Sequence, residues 1–196
     1  MSKTEKSLLK SFIVFVLVVG IGVAITLWYQ GRTPEKAQAV LLVPTPTVTS
    51  ETSVDSANGD KKLTLHTTPK PDGTTQYSYS IAGRVLFDKT LPAAAWMALP
   101  LNSWDPTDTY VFLEEHNSGA VDYLVLKADG TPFSDGSQFI DVGAVWVNKN
   151  IGYTVRTATG WASGTLMIIY TSNADGSKGP AFWFEIPSTA ILQLAS

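Results

Sequence analysis

The chain has no cysteine, only two histidines and few charges, and each scarcity removes a class of chemistry. Without Cys there is no disulfide, thiol nucleophile, haem-attachment motif, Cys zinc site or lipoprotein anchor. His66 and His116 alone leave little room for imidazole-based metal binding or acid–base work. Charged residues are 16% of the 196 positions, and 14 basic against 17 acidic side chains leave a net charge of −3, which gives no nucleic-acid footprint. The nucleophile elbow Gly-x-Ser-x-Gly is absent; Gly160-Trp161-Ala162-Ser163-Gly164 lacks its spacing and its following helix.

What the chain does have is one long apolar run. Phe12 to Trp28 (FIVFVLVVGIGVAITLW) carries no charge. As a helix it rises about 25 Å, the short end of a bilayer span. Tyr29 on one side and the stem of Lys10 on the other extend it by interfacial anchoring. In lipid a lone segment satisfies its backbone only as a helix, so the β-branched residues are no obstacle. Lys3, Lys6 and Lys10 precede the run, and Arg32 and Lys36 follow it. The reading is a cytoplasmic N-terminus (1–11), a transmembrane signal-anchor helix (12–29) and an extracytoplasmic remainder at the cell membrane. The rival is a cleaved signal peptide ending at Ala37-Gln38-Ala39, but a signal h-region is shorter and that site lies well past the apolar end. Gly20 and Ala24, and Gly22 and Thr26, have the small-xxx-small spacing that permits close helix approach.

Residues 30–60 read as a disordered Thr/Ser/Pro-rich stalk, because VPTPTVTSETSVDSANGD has no usable periodicity and little apolar surface to bury. From Lys61 the pattern changes to short β-type runs between turns. Leu63–Thr67 alternates, Pro71-Asp72-Gly73-Thr74 turns, and Gln76–Ile81 returns, which is a hairpin signature. Further strands are expected at 84–90, 109–115, 121–127, 165–171, 181–186 and 190–195. Pro92–Met97 allows one helical turn at most, and no segment after residue 61 sustains a helical period. Residues 61–196 are therefore an all-β extracytoplasmic domain, large enough for a proper core.

Aligning the Asp-Gly turns superposes LTLHTTPKPDGTTQYSYSI (63–81) on LMIIYTSNADGSKGPAFWF (166–184). Between them, Trp104, Asp105, Pro106 and Asp108 open a strand, Gly119 and Asp122 stand in and after a loop, and Asp129-Gly130-Thr131 closes the unit. This unit resembles a blade of TolB-type β-propellers, the fold that also precedes the hydrolase domain of the dipeptidyl-peptidase IV class. A weaker copy opens at Gly160-Trp161. The resemblance implies blade-structural roles for Trp104, Pro106, Asp108, Asp129, Gly130 and Trp161. It implies two to three blade-like antiparallel sheets, as an incomplete propeller or an open sandwich. A blade takes about 40–45 residues and a ring needs at least four, so the chain alone cannot close one; a homo-oligomer could complete it. No hydrolase domain accompanies the unit.

Candidate chemistry is sparse. Glu114 and Glu115 are adjacent on a strand and face opposite sides, so they form no dyad. Asp105 and Asp108 share one turn and read as backbone caps. Asn173-Ala174-Asp175-Gly176-Ser177 has alternating oxygen ligands but lacks the EF-hand Gly and acidic positions, and reads as a hairpin turn. No catalytic residue, metal or cofactor is expected. The aromatics Trp96, Trp146, Phe182, Trp183 and Phe184 are the candidate interface, and period two must put some of the consecutive three on each side of their strand. The expected function is a membrane-anchored, non-catalytic binding domain for a protein or an envelope glycan. The alternatives are a carbohydrate-binding module, which needs coplanar exposed aromatics, and a hydrolase-associated propeller fragment.

Overall fold

The structure, a computed structural model, describes residues 48–195. The expected N-terminal tail (1–11) and transmembrane helix (12–29), and all but the end of the stalk, lie outside those residues. Among the described residues no helix is long and apolar enough to cross a membrane.

The described chain is all-β. Twelve strands form three four-stranded antiparallel sheets, each a meander of consecutive strands, and they do not close into a barrel. Sheet 1 runs β1 (Ser50–Asp55), β2 (Lys62–Pro69), β3 (Thr75–Ile81), β4 (Arg84–Leu91). Sheet 2 runs β5 (Ala95–Ala98), β6 (Tyr110–Asn117), β7 (Ala120–Lys127), β8 (Ile140–Asp141). Sheet 3 runs β9 (Thr154–Ser163), β10 (Leu166–Ser172), β11 (Lys178–Glu185), β12 (Ala190–Gln193). A short helix, α1 (Val142–Asn148), leads from sheet 2 toward sheet 3.

Two apolar clusters make the sheets a stack. The first joins Leu63, Leu65, Tyr77 and Tyr79 of sheet 1 to Val111, Leu113, Leu124 and Leu126 of sheet 2. The second joins Phe112, Tyr123 and Val125 of sheet 2 to Met167, Ile169, Phe182 and Phe184 of sheet 3. The centre of sheet 2 is thus covered on both faces, and its strands show it: Val111-Phe112-Leu113 and Tyr123-Leu124-Val125-Leu126 are unbroken apolar runs. Strands buried on one face alternate instead, as Leu63-Thr64-Leu65 does.

The superposed segments 63–81 and 166–184 take equivalent places, the second and third strands of sheets 1 and 3. Their turns are built alike. Asp72 Oδ1 accepts from the Thr74 amide (3.0 Å) and hydroxyl (2.6 Å), and Asp175 Oδ1 accepts from the Ser177 amide (2.9 Å) and hydroxyl (2.6 Å). Gly73 and Gly176 follow at φ +82° and +81°, where a side chain would be strained.

Four strands and the helix depart from the sequence expectation. The folded region begins before residue 61, because Ser50–Asp55, assigned to the stalk, pairs along β2 as an edge strand. An exposed edge needs no apolar alternation, and only Val54 reaches the core. β5 stands where Pro92–Met97 suggested a helical turn; Ala95 and Met97 point inward with period two. β8 has two residues, and β9 is broken by bulges against β10, so neither shows a clean period. The helix at Val142–Asn148 is only seven residues long, too short for a sustained 3.6 repeat.

Candidate functional site

The residues expected to be structural lock neighbouring sheets. The Trp104 indole donates to the Val54 carbonyl of sheet 1 (3.2 Å), and the Trp161 indole of sheet 3 donates to the Ser103 carbonyl before sheet 2 (3.1 Å). Pro106 sits exposed in a turn organised by Asp105. Asp105 is fully buried: Oδ1 accepts from the amides of Thr109 and Tyr110 (both 2.6 Å), and Oδ2 from the Thr107 amide (2.8 Å) and hydroxyl. Asp108, at φ +55°, accepts from Ala57 N (3.1 Å) and Asn58 Nδ2 (3.0 Å) and ties that turn to sheet 1. Asp129 orders Thr131, and the Asp129 and Gly130 carbonyls receive the Arg84 guanidinium at 2.5 and 3.1 Å. Both Asp105 and Asp108 are occupied by such donors, which suits them to scaffolding.

The candidate interface residues divide. Trp146, Phe182 and Phe184 are buried in the second core cluster and present no surface. Trp96 is 48% exposed, and its ring stacks on His116 with centroids 3.6 Å apart and planes 5° from parallel. Trp183 points away from the core, so period two splits the Phe-Trp-Phe run as Phe182 and Phe184 in, Trp183 out.

Trp183 belongs to a larger surface. On the outer side of sheet 3, Ile168, Trp183 and Leu192 pair across three strands, flanked by Tyr170 opposite Ala181 and by Leu166 opposite Glu185. Glu185 is the only charged side chain in these rows, and it accepts from the Ser188 amide (2.7 Å) and hydroxyl (2.5 Å). The outer side of sheet 1 is the reverse. There Glu51, His66, Ser78 and Asp88 form one row, Thr68, Gln76 and Thr90 a second, and Ser53, Thr64 and Ser80 a third that ends on the exposed Val85. The stack has one polar end and one apolar end.

A second feature was not foreseen. A cleft of about 780 Å³ opens between sheets 2 and 3 beside α1, with Val121, Trp146, Ile151 and Val155 among its apolar lining and Asp122, Asn150 and Arg156 among its polar lining. A hollow of about 480 Å³ adjoins it, shares Ala120 and Asp122, and adds Lys89, Glu115 and Asp141. Asp122 Oδ1 accepts from Tyr123 N (2.7 Å) and Gly143 N (2.8 Å), and Asp141 Oδ1 caps α1 by accepting from Ala144 N (2.7 Å). A Cβ on Gly143 would lie 2.6 Å from the Asp122 carboxylate, so glycine makes this approach feasible. Burial first, and then the neighbouring Asp141 carboxylate, push the Asp122 carboxyl up to about 6, against the pull of those two amides. Across the hollow, Lys89 binds both oxygens of Glu115 at 2.8 and 2.6 Å. Sequence reasoning missed the Asp122–Asp141 pair because the β7–β8 register that joins them is not visible in composition. The one available signal was Asp141 immediately before Val142, an N-cap position.

Among the described residues no group of three or more His, Cys, Asp or Glu side chains is placed to hold a metal ion. Set against protein-family models, curated proteins and solved structures, the chain matches none, so nothing in those comparisons supports the TolB-type or dipeptidyl-peptidase IV-like blade expected from the sequence.

Proposed function

We propose that this protein is a non-catalytic interaction domain, displayed outside a membrane by the apolar segment 12–29, which docks a protein partner on the outer face of sheet 3. The observation behind it is the row Ile168–Trp183–Leu192, apolar, with Leu192 exposed and Ile168 and Trp183 partly exposed, at the end of a stack whose opposite end is largely polar. Among the described residues the facing apolar sides of the three sheets are covered by one another, and a partly exposed apolar row rimmed by polar groups suits a docking surface. Aromatic anchors such as Trp183 and Tyr170 supply large contact area at low entropy cost. Head-to-tail closure into a ring would press this face onto Thr64, His66 and Ser78 and strip those groups of water, so the partner is better sought elsewhere. A glycan platform is less well supported, since Trp96 already stacks one ring face on His116. The test is photo-crosslinking in native membranes, with a photoreactive residue at Leu192 or, as control, at Ser78. A discrete heavier adduct at 192 and none at 78 is expected. No adduct at 192 rejects the docking face.

A further inference from the structure

We propose that the cleft between sheets 2 and 3 is a ligand site for a molecule joining an ammonium group to an apolar body, the ammonium held by Asp122 and Asp141 and the body by Val121, Trp146 and Ile151. This site is separate from the outer face of sheet 3 and stands or falls without it.

The geometry carries the assignment. At about 780 Å³ the cleft falls within the range of small-molecule sites, and its lining mixes apolar side chains such as Val121, Trp146 and Ile151 with polar ones such as Asp122 and Asn150. Where it meets the adjoining hollow, three carboxylates face one ammonium: Glu115, Asp122 and Asp141 against Lys89. Lys89 is committed to Glu115, chelated by both oxygens. Asp122 and Asp141 each direct one oxygen to backbone amides, their side chains are hydrogen-bonded to each other, and among the described residues neither group has a basic partner. Two carboxylates brought this close call for a donor-rich cation between them, and an ammonium has three N–H groups and no acceptor. A bare divalent ion fits less well, since Ca²⁺ takes six to eight oxygens and among the described residues no group of three or more His, Cys, Asp or Glu side chains is placed to hold a metal ion. Arg156, on the same cleft, makes no ion pair among the described residues and would meet a carboxylate on a longer ligand.

An ammonium beside an apolar group occurs both in free amines and at the N-terminus of a peptide, and the test separates the two. The full chain, ¹⁵N-labelled in detergent micelles, is titrated with leucinamide, N-acetyl-leucinamide and the tripeptide amide Leu-Ala-Ala-NH₂. The reporter is the Trp146 indole N–H, which donates to the Tyr153 carbonyl at 2.7 Å in the wall of the cleft; the Trp104 indole, in the other core cluster, is the control. Leucinamide is expected to shift the Trp146 resonance saturably and leave Trp104 in place, with the acetylated probe weaker by at least about tenfold. Tighter binding of the tripeptide assigns a peptide terminus as the source, and equal binding a free amine. Asp141→Asn keeps a good N-cap and Asp122→Asn keeps its Oδ1 acceptor, so each removes charge with α1 in place, and each is expected to weaken leucinamide by about tenfold. The proposal is overturned if no probe moves the Trp146 indole, if the acetylated probe binds as well as leucinamide, or if CaCl₂ alone displaces leucinamide.

Discussion

Asp122 is a carboxylate that the fold holds at a disadvantage, and replacing it by Asn should stabilise the protein at neutral pH. Its carboxyl is raised from the ordinary 3.8 to about 6 by burial and by Asp141. A carboxyl raised in the folded state favours folding when protonated. Its contribution is therefore fully present below pH 3.8 and is lost as the pH climbs through 6. That interval is worth about 3 kcal/mol at about 1.4 kcal/mol per pH unit. Asp122 is only half-buried, and water screening reduces the figure to about 1 kcal/mol. Asn preserves the oxygen that accepts from Tyr123 N and Gly143 N. Thermal melts of the full chain and of Asp122→Asn, followed by circular dichroism between pH 3.5 and 8, measure the difference. The variant should melt about 2–4 °C higher at pH 7.5, and the two curves should converge near pH 4. A variant less stable at every pH, or a gap that widens in acid, would refute the reasoning and make the Asp122 charge a net contributor to the fold.

Other substitutions test the stack. Leu124→Ala, in the sheet 1–sheet 2 cluster, should cost about 3 kcal/mol in denaturant unfolding. Lys89→Met strands the nearly buried Glu115 carboxylate and should cost about 2 kcal/mol, most of it recovered when Glu115→Gln is added. Asp105→Asn sets an amide against four donors and should lower stability by about 3 kcal/mol in the same assay. Trp183→Gln should change the unfolding midpoint by no more than about 0.5 kcal/mol while abolishing the Leu192 crosslink, as expected of a surface residue with a binding role.

Much of the fold can be read from local chemistry. Strands with both flanks punctuated, such as Thr75–Ile81 after Asp72-Gly73, announce themselves by period and turn together. So do the two-sided runs Val111–Leu113 and Tyr123–Leu126, whose lack of alternation reflects burial on both faces. What escapes is set by partners distant in sequence. Ser50–Asp55 is polar enough to pass for a stalk and becomes a strand only because β2 offers an edge. Trp146 and Trp183 look alike as isolated residues, and only packing separates the buried indole from the outward one. The cleft escapes most completely. Asp122 and Asp141 meet through a two-residue pairing, Leu124 with Asp141 and Val125 with Ile140, that carries almost no pattern of its own.

The burial of the centre of sheet 2 on both faces imposes an order on synthesis. Each sheet is a meander of neighbouring strands, so each forms from local contacts as the chain emerges. Sheet 1 precedes sheet 2 and can cover one of its faces at once. The other face, with Phe112, Tyr123 and Val125, stays bare until residues 154–193 have left the ribosome. At about 5–20 residues per second that interval lasts seconds, the period in which a nascent chain with an uncovered β surface is most prone to pair wrongly. A chain truncated after α1 would remain in that state permanently, so degradation or chaperone capture of such truncations should be far heavier than of chains that reach β12.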